Sequence, residues 1–249
     1  MMETRKQLQE LIENTKSKVG FQILVSSTDS KIITTFNRPI KLNPNKRYEL
    51  ALLNLETYYS FPNIDEKNNQ FKYRTDVKSP WKTITIPKGC YEIVGINDAI
   101  QSEIGNTDVT LKPNLNTLRC ILCIKNNVEV DFNIPNCINT VLGFDSKIYK
   151  KGIHSGERSV DILRINSILV HTDIITNAYQ DGKMEPIIYS FFPNVSPGEK
   201  IVEVQKNLIY SPLTVDTIQR MVTWLTDQSN HPLDLQGETL TIRFHLREC

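Results

Sequence analysis

The sequence has almost no charge imbalance: 29 Lys and Arg stand against 28 Asp and Glu, a net charge of +1 over 249 residues. That withholds the electrostatic footprint of a general nucleic-acid binder, so no specific nucleic-acid partner is expected. It also lacks long apolar runs. Nothing approaches the roughly 20 consecutive apolar residues needed to cross a bilayer, and the opening MMETRKQLQELIENTK has no apolar core of a secretion signal. A product without a membrane span, made and kept inside a cell or released by a route that needs no signal, is expected. Cysteine is sparse, and its five positions (Cys90, Cys120, Cys123, Cys137 and Cys249) are odd in number and irregular in spacing. Such a set does not read as a disulfide framework, and reduced thiols are expected.

The signatures of chemistry are equally thin. There is no G-x-S-x-G turn and no Gly-rich phosphate loop, since SPGEKIV has a single Gly before its Lys. No carboxylates are paired for acid and base work. The histidines (His154, His171, His231 and His245) are scattered, without the H-x-H or H-E-x-x-H spacing of a metal pair. Cys120 and Cys123 have metal-like spacing, but in the strand-like TLRCILCI they fall on opposite faces, and no second pair completes a site. In HTD, Asp173 could orient His171, although an acid beside a strand-end histidine is more often structural. No enzyme, metal or cofactor is expected.

What the sequence has is strands. From Val19 onward, runs such as VGFQILVSS, KIITTFNRPI, RYELALLNLETYYS, WKTITIP, TLRCILCI, VEVDFNI and EPIIYSFFP alternate with turn clusters such as NPNK, KPNLN and SPGEK. Many modest strands without helical crossovers indicate an all-β sandwich or barrel. With no repeat and no low-complexity linker, one domain over residues 19–249 is expected. Two short helices are predicted. One runs from Ile96 to Ile104, with Ile96, Ile100 and Ile104 on one side and Gly105 to end it, and the other lies around NCINTVLGF. Residues 215–227, VDTIQRMVTWLTD, fit both periods, and their β-branched content favours a strand. Residues 1–18 are expected to be a separate N-terminal helical arm, with Leu8, Leu11 and Ile12 on a narrow apolar stripe too short to be stable alone, a frayed terminus being the alternative.

Three features call for a surface role. The closing GETLTIRFHLR alternates perfectly, placing Leu240, Ile242, Phe244 and Leu246 on one face and Arg243, His245 and Arg247 on the other. That polar face could meet nucleic acid, chemistry or a partner subunit, or stay wet. The basic run KIYKKGIHSGER (147–158) reads as a solvated loop or a contact for an acidic partner. ETYYSFPNI and IIYSFFPNV place Tyr58, Tyr59, Phe61, Tyr189, Phe191 and Phe192 at strand ends, for packing in a core or against a neighbour.

Taken in order, the blocks YELALLNLETYYSFPNI, GCYEIVGIN, VLGF, VDILRINSILVHTDI, IIYSFFPNVSPGEKI and DLQGETLTIRFHLR resemble the minor capsid, or penton, proteins of Polinton (Maverick) and related virus-like elements. The blocks span the chain from about residue 40. The resemblance implies a single jelly roll of two packed antiparallel sheets, a homopentamer at each icosahedral vertex of a virion, and a double jelly-roll major capsid protein as neighbour. It gives the arm with Leu8, Leu11 and Ile12 the role of gripping adjacent capsid proteins, and Arg243, His245 and Arg247 the role of an inter-subunit surface. Some relatives carry insertion domains. Here no second domain is expected, and the loops at 65–80 and 145–158 are the candidates for an outward surface. A cellular jelly-roll module binding a ligand or carbohydrate is the alternative, and a cupin-like enzyme a third reading that the missing metal cluster disfavours.

Overall fold

Alternation along the last strand becomes burial: Leu240, Ile242, Phe244 and Leu246 are completely enclosed, while Thr241, Arg243, His245 and Arg247 remain partly exposed. The structure, a computed structural model, describes residues 20–176 and 178–249. The arm with Leu8, Leu11 and Ile12 therefore lies outside the described residues.

In chain order the first strands are β1 (Gly20–Ser27), β2 (Lys31–Lys41), β3 (Tyr48–Tyr58), β4 (Gln70–Arg74) and β5 (Lys82–Thr85), followed by helix α1 (Ile93–Ile104). Next come β6 (Val109–Asn114), β7 (Arg119–Ile124), β8 (Glu129–Asp131), the short helix α2 (Asn139–Leu142), β9 (Ile148–Tyr149) and β10 (Gly152–Ser155). The remainder is β11 (Ile168–Thr172), β12 (Ala178–Gln180), β13 (Lys183–Glu185), β14 (Ile187–Phe191), β15 (Lys200–Val204), β16 (Ser211–Pro212), β17 (Thr217–Thr226) and β18 (Leu240–Glu248). The ambiguous segment at 215–227 is thus a strand, as its β-branched content indicated.

The described residues divide into two compact units, where one domain over 19–249 was expected: residues 20–58 with Ser167–Val195 and Lys200–Cys249, and Tyr59–Asn166 with Ser196–Glu199. The first unit is a jelly roll. Its eight principal strands, in chain order, are β1, β2, β3, β11, β14, β15, β17 and β18. One sheet runs β1-β18-β3-β15 and the other β2-β17-β11-β14, with every neighbouring pair antiparallel. First therefore pairs with eighth, second with seventh, third with sixth and fourth with fifth. This is the ladder of a long hairpin rolled into two sheets, the jelly-roll arrangement. Ile23, Val25, Leu50, Leu52 and Leu55 are buried on the first sheet, and Ile32, Ile168, Val170, Met221 and Leu225 on the second.

Strand β3 keeps its apolar face inward by slipping phase. Phe244 pairs with Leu52 but the preceding Arg243 pairs with Asn54, so Leu53 is an extra residue. Before it the inward-facing positions are Leu50 and Leu52, with Ala51 between them also buried, and after it Leu55 and Thr57. Without that bulge, one half of the strand would turn its leucines to solvent.

The second unit has its own core. Sheets β5-β4-β8-β9 and β10-β7-β6, together with α1, enclose Ile64, Phe71, Ile86, Ile96, Leu122, Val130 and Phe144, with Phe132 and Tyr149 edge-on among the aromatics. Helix α1 buries Ile93, Ile96 and Ile100, and ends at Gly105 in the left-handed conformation (φ 77°), whose N–H donates to the Gln101 carbonyl. Strand β4 occupies the middle of the expected 65–80 loop, and β9 and β10 fall within 145–158. In β4, Phe71 and Tyr73 fill the core, a period-2 pattern too short to stand out in the sequence.

Candidate interaction surface

The outward face of the sheet β1-β18-β3-β15 is built by cross-strand register. Arg247 lies opposite Glu49, His245 opposite Ala51 and Arg243 opposite Asn54, while on the other side Gln22 meets His245 and Leu24 meets Arg243. The Arg247 guanidinium donates to a single Glu49 oxygen through Nη2 (2.8 Å) and Nε (3.1 Å), and lies 3.3 Å from the centre of the Tyr210 ring. Ion pair and cation–π contact together fix its plane. The Tyr210 hydroxyl is 2.8 Å from Nδ1 of His245, with the two rings edge-on at 5.9 Å. Two of the three residues singled out from the sequence are thus committed to an intramolecular network, whose other members, Tyr210 and Glu49, carried no sequence signal.

Arg243 differs. Among the described residues no carboxylate lies within ion-pair distance of it; Glu56 nearby is engaged by Lys200 at 2.6 Å. The Lys200 ammonium, with a smaller contribution from Arg243, holds the Glu56 carboxyl below its usual range. Along the row through Arg243, Leu24 and Val204 are 58% exposed, and one row further Val202 is 55% exposed. This face therefore carries an unpaired guanidinium among exposed aliphatic side chains.

The remaining sequence candidates scatter. His171 is buried, its ring stacked on Trp224 at 5.0 Å, with Nε2 2.8 Å from the Thr226 hydroxyl and Nδ1 without a partner. Burial lowers its pKa to about 4. Asp173 accepts the Val222 N–H at 2.8 Å through Oδ1. Cys120 is buried and Cys123 partly exposed on the opposite face of β7, and burial pushes the Cys120 thiol up to about 12. Among the described residues no three His, Cys, Asp or Glu side chains come together as a metal would require. Of the aromatics, Tyr59, Phe61 and Phe191 are buried, whereas Phe192 is 55% exposed and Tyr58 39%.

The run 147–158 is largely neutralised within its own unit. Lys147 pairs with Glu157 (2.6 Å), Arg158 with Asp145 (2.8 Å) and Lys150 with Glu129 (3.4 Å). Burial alone would raise the Glu157 carboxyl. The Lys147 ammonium, the Asp145 N–H and the Tyr149 hydroxyl outweigh it and hold the group at about 2.

No family model matches this chain, and no curated protein does. Among solved structures, a mavirus penton protein is similar with a TM-score of 0.49 and 11% identity, over 94% of this chain and all of that one. The D2-D3 domains of the flagellar cap protein FliD from Escherichia coli align at a TM-score of 0.23 and 12% identity, over 84% of this chain and all of that one. A D1-D2-D3 structure of the same protein aligns at 0.16 and 15%, over 89% of this chain and 55% of that one.

Proposed function

We propose that this chain is a minor capsid protein, a penton of the Polinton (Maverick) kind, whose homopentamer closes the vertices of an icosahedral virion beside a double jelly-roll major capsid protein. The observation that carries the reading is the strand order of the first unit. Four of the six sequence blocks that resemble such pentons fall on β3, β11, β14, β15 and β18, five of the eight strands of the jelly roll, and the other two, GCYEIVGIN and VLGF, fall on α1 and α2 of the second unit. A jelly roll by itself serves lectins and cupins as well as capsids. Here its outward sheet face joins unpaired Arg243 to exposed Leu24, Val202 and Val204, a composition suited to burial against another subunit.

In a closed ring each subunit offers two different surfaces. Arg243 belongs to one of them, and His245 and Arg247, clamped by Tyr210 and Glu49, set the shape around it. The arm with Leu8, Leu11 and Ile12 tethers the pentamer to adjacent capsid proteins, and the protein resides in the virion.

Native mass spectrometry and single-particle class averages test the assembly. Five copies of a 28.6 kDa chain give a species of about 143 kDa with five-fold averages. Arg243→Glu should shift it toward monomer, and deletion of residues 1–18 should leave the pentamer intact but abolish its incorporation into particles. A chain that remains monomeric at high concentration, and in the presence of the major capsid protein, refutes the reading.

A further inference from the structure

The three-stranded sheet β10-β7-β6 of the second unit buries one face and leaves the other without a covering layer. Val109, Leu111, Cys120, Leu122 and Ile124 point into the core. By alternation, Ile121, Cys123 and Ile153 point the other way, with Ile153 opposite Cys123 across the β7–β10 pair and 79% exposed. The same parity continues one step beyond the strand ends, to Lys125 after Cys123 and Lys151 before Ile153, and Lys112 on β6 shares the face. All of these outward-facing residues but Ile121 line an open cleft of about 640 Å³.

The charge on this face is uncompensated. Lys147, Lys150 and Arg158 of the neighbouring run are paired, but Lys112, Lys125 and Lys151 have no carboxylate within ion-pair distance among the described residues. Three ammonium groups without an ion-pair partner among the described residues therefore surround a cleft whose exposed apolar side chain is Ile153, beside Cys123 and Thr110, and β10 pairs on one side only.

We infer that this face is a docking surface for an extended acidic segment of a partner protein, in which carboxylates alternate with aliphatic side chains. The carboxylates meet the three lysines, the aliphatic side chains cover Ile153 and its neighbours, and the free edge of β10 offers backbone groups for strand addition. Phosphate backbones and sulfated glycans share the negative charge, but they bring no apolar side chain to cover Ile153, which is 79% exposed between the lysines. This surface is independent of the assembly reading above, because none of its residues belongs to the jelly-roll unit.

The test is fluorescence anisotropy of the full chain with a fluorescein-labelled hexapeptide alternating aspartate and valine, beside its lysine–valine counterpart and a sulfated hexasaccharide. The acidic peptide should bind, weaken as salt rises, and lose affinity about tenfold or more in a Lys112→Ala/Lys125→Ala/Lys151→Ala variant. Ile153→Ser should weaken it severalfold at unchanged charge, and Lys206→Ala, in the other unit, should leave it unaltered. All these positions are exposed, so unchanged circular dichroism is expected for every variant. Equal binding by the triple-lysine variant overturns the inference, as does binding of the sulfated saccharide without the peptide.

Discussion

Acidification should weaken the jelly-roll unit through a single buried ring. His171 is 2% exposed, stacked on Trp224 and bonded only through Nε2, to Thr226. Protonation would place a second N–H donor on Nδ1, where no acceptor is present, inside a site that solvates charge poorly. Burial accordingly lowers the pKa from 6.5 to about 4. The sign follows from linkage: below pH 6.5 the unfolded chain takes up a proton that the folded chain refuses, so stability falls with pH and levels off below about 4. A single site with these two pKa values removes about 2 kcal/mol by pH 5 and about 3 kcal/mol by pH 4. Urea unfolding of the wild type and of His171→Gln, followed by circular dichroism from pH 7.5 to 4, isolates the effect, because every other titrating group is common to both. The wild type should lose more stability than the variant by the amounts above. Parallel curves, or a His171 ring that titrates between pH 6 and 7 by NMR, would refute the reasoning.

Two further outcomes follow from the geometry. A Cβ at Gly143 would stand 2.3 Å from the Arg158 carbonyl oxygen, whereas one at Gly105 would meet nothing within 4 Å, though both glycines have positive φ. Gly105→Ala should therefore destabilise by about 1 kcal/mol and Gly143→Ala by about 3 kcal/mol or more, read from denaturant midpoints. A thiol reagent at neutral pH should modify exposed Cys249 first. Cys120 and Cys137, buried and with pKa raised to about 12 and about 11 respectively, should react only as the chain unfolds, as peptide mass mapping would show.

Much of the β architecture was legible because one physical rule, alternation, operates on residues adjacent in sequence. It places the inward face of β18 correctly and separates Cys120 from Cys123, while the helical spacing of Ile96, Ile100 and Ile104 with Gly105 marks the end of α1. It fails where the cause is distant. The phase slip of β3 at Leu53 depends on its pairing with β18. The anchoring of His245 and Arg247 depends on Tyr210 and Glu49, far away in the chain. The two-unit division left no trace because both units are made of short strands with the same turn residues, so composition does not change at Tyr59 or Asn166. The neutralisation of 147–158 was similarly invisible, since Glu129 and Asp145 meet its cations only after β8 and β9 pair. That same pairing leaves Lys151 as the free cation of the run.

Each unit closes its own hydrophobic core, and the chain's two tryptophans fall one to each. Trp81 lies under the Arg74 guanidinium, 4.5 Å from its carbon, and Trp224 lies against His171. The molecule thus carries a separate fluorophore for each half. Trp81→Phe and Trp224→Phe variants would each be a spectroscopically silent copy of one unit, letting the melting of the jelly roll and of its partner unit be followed separately within one intact chain.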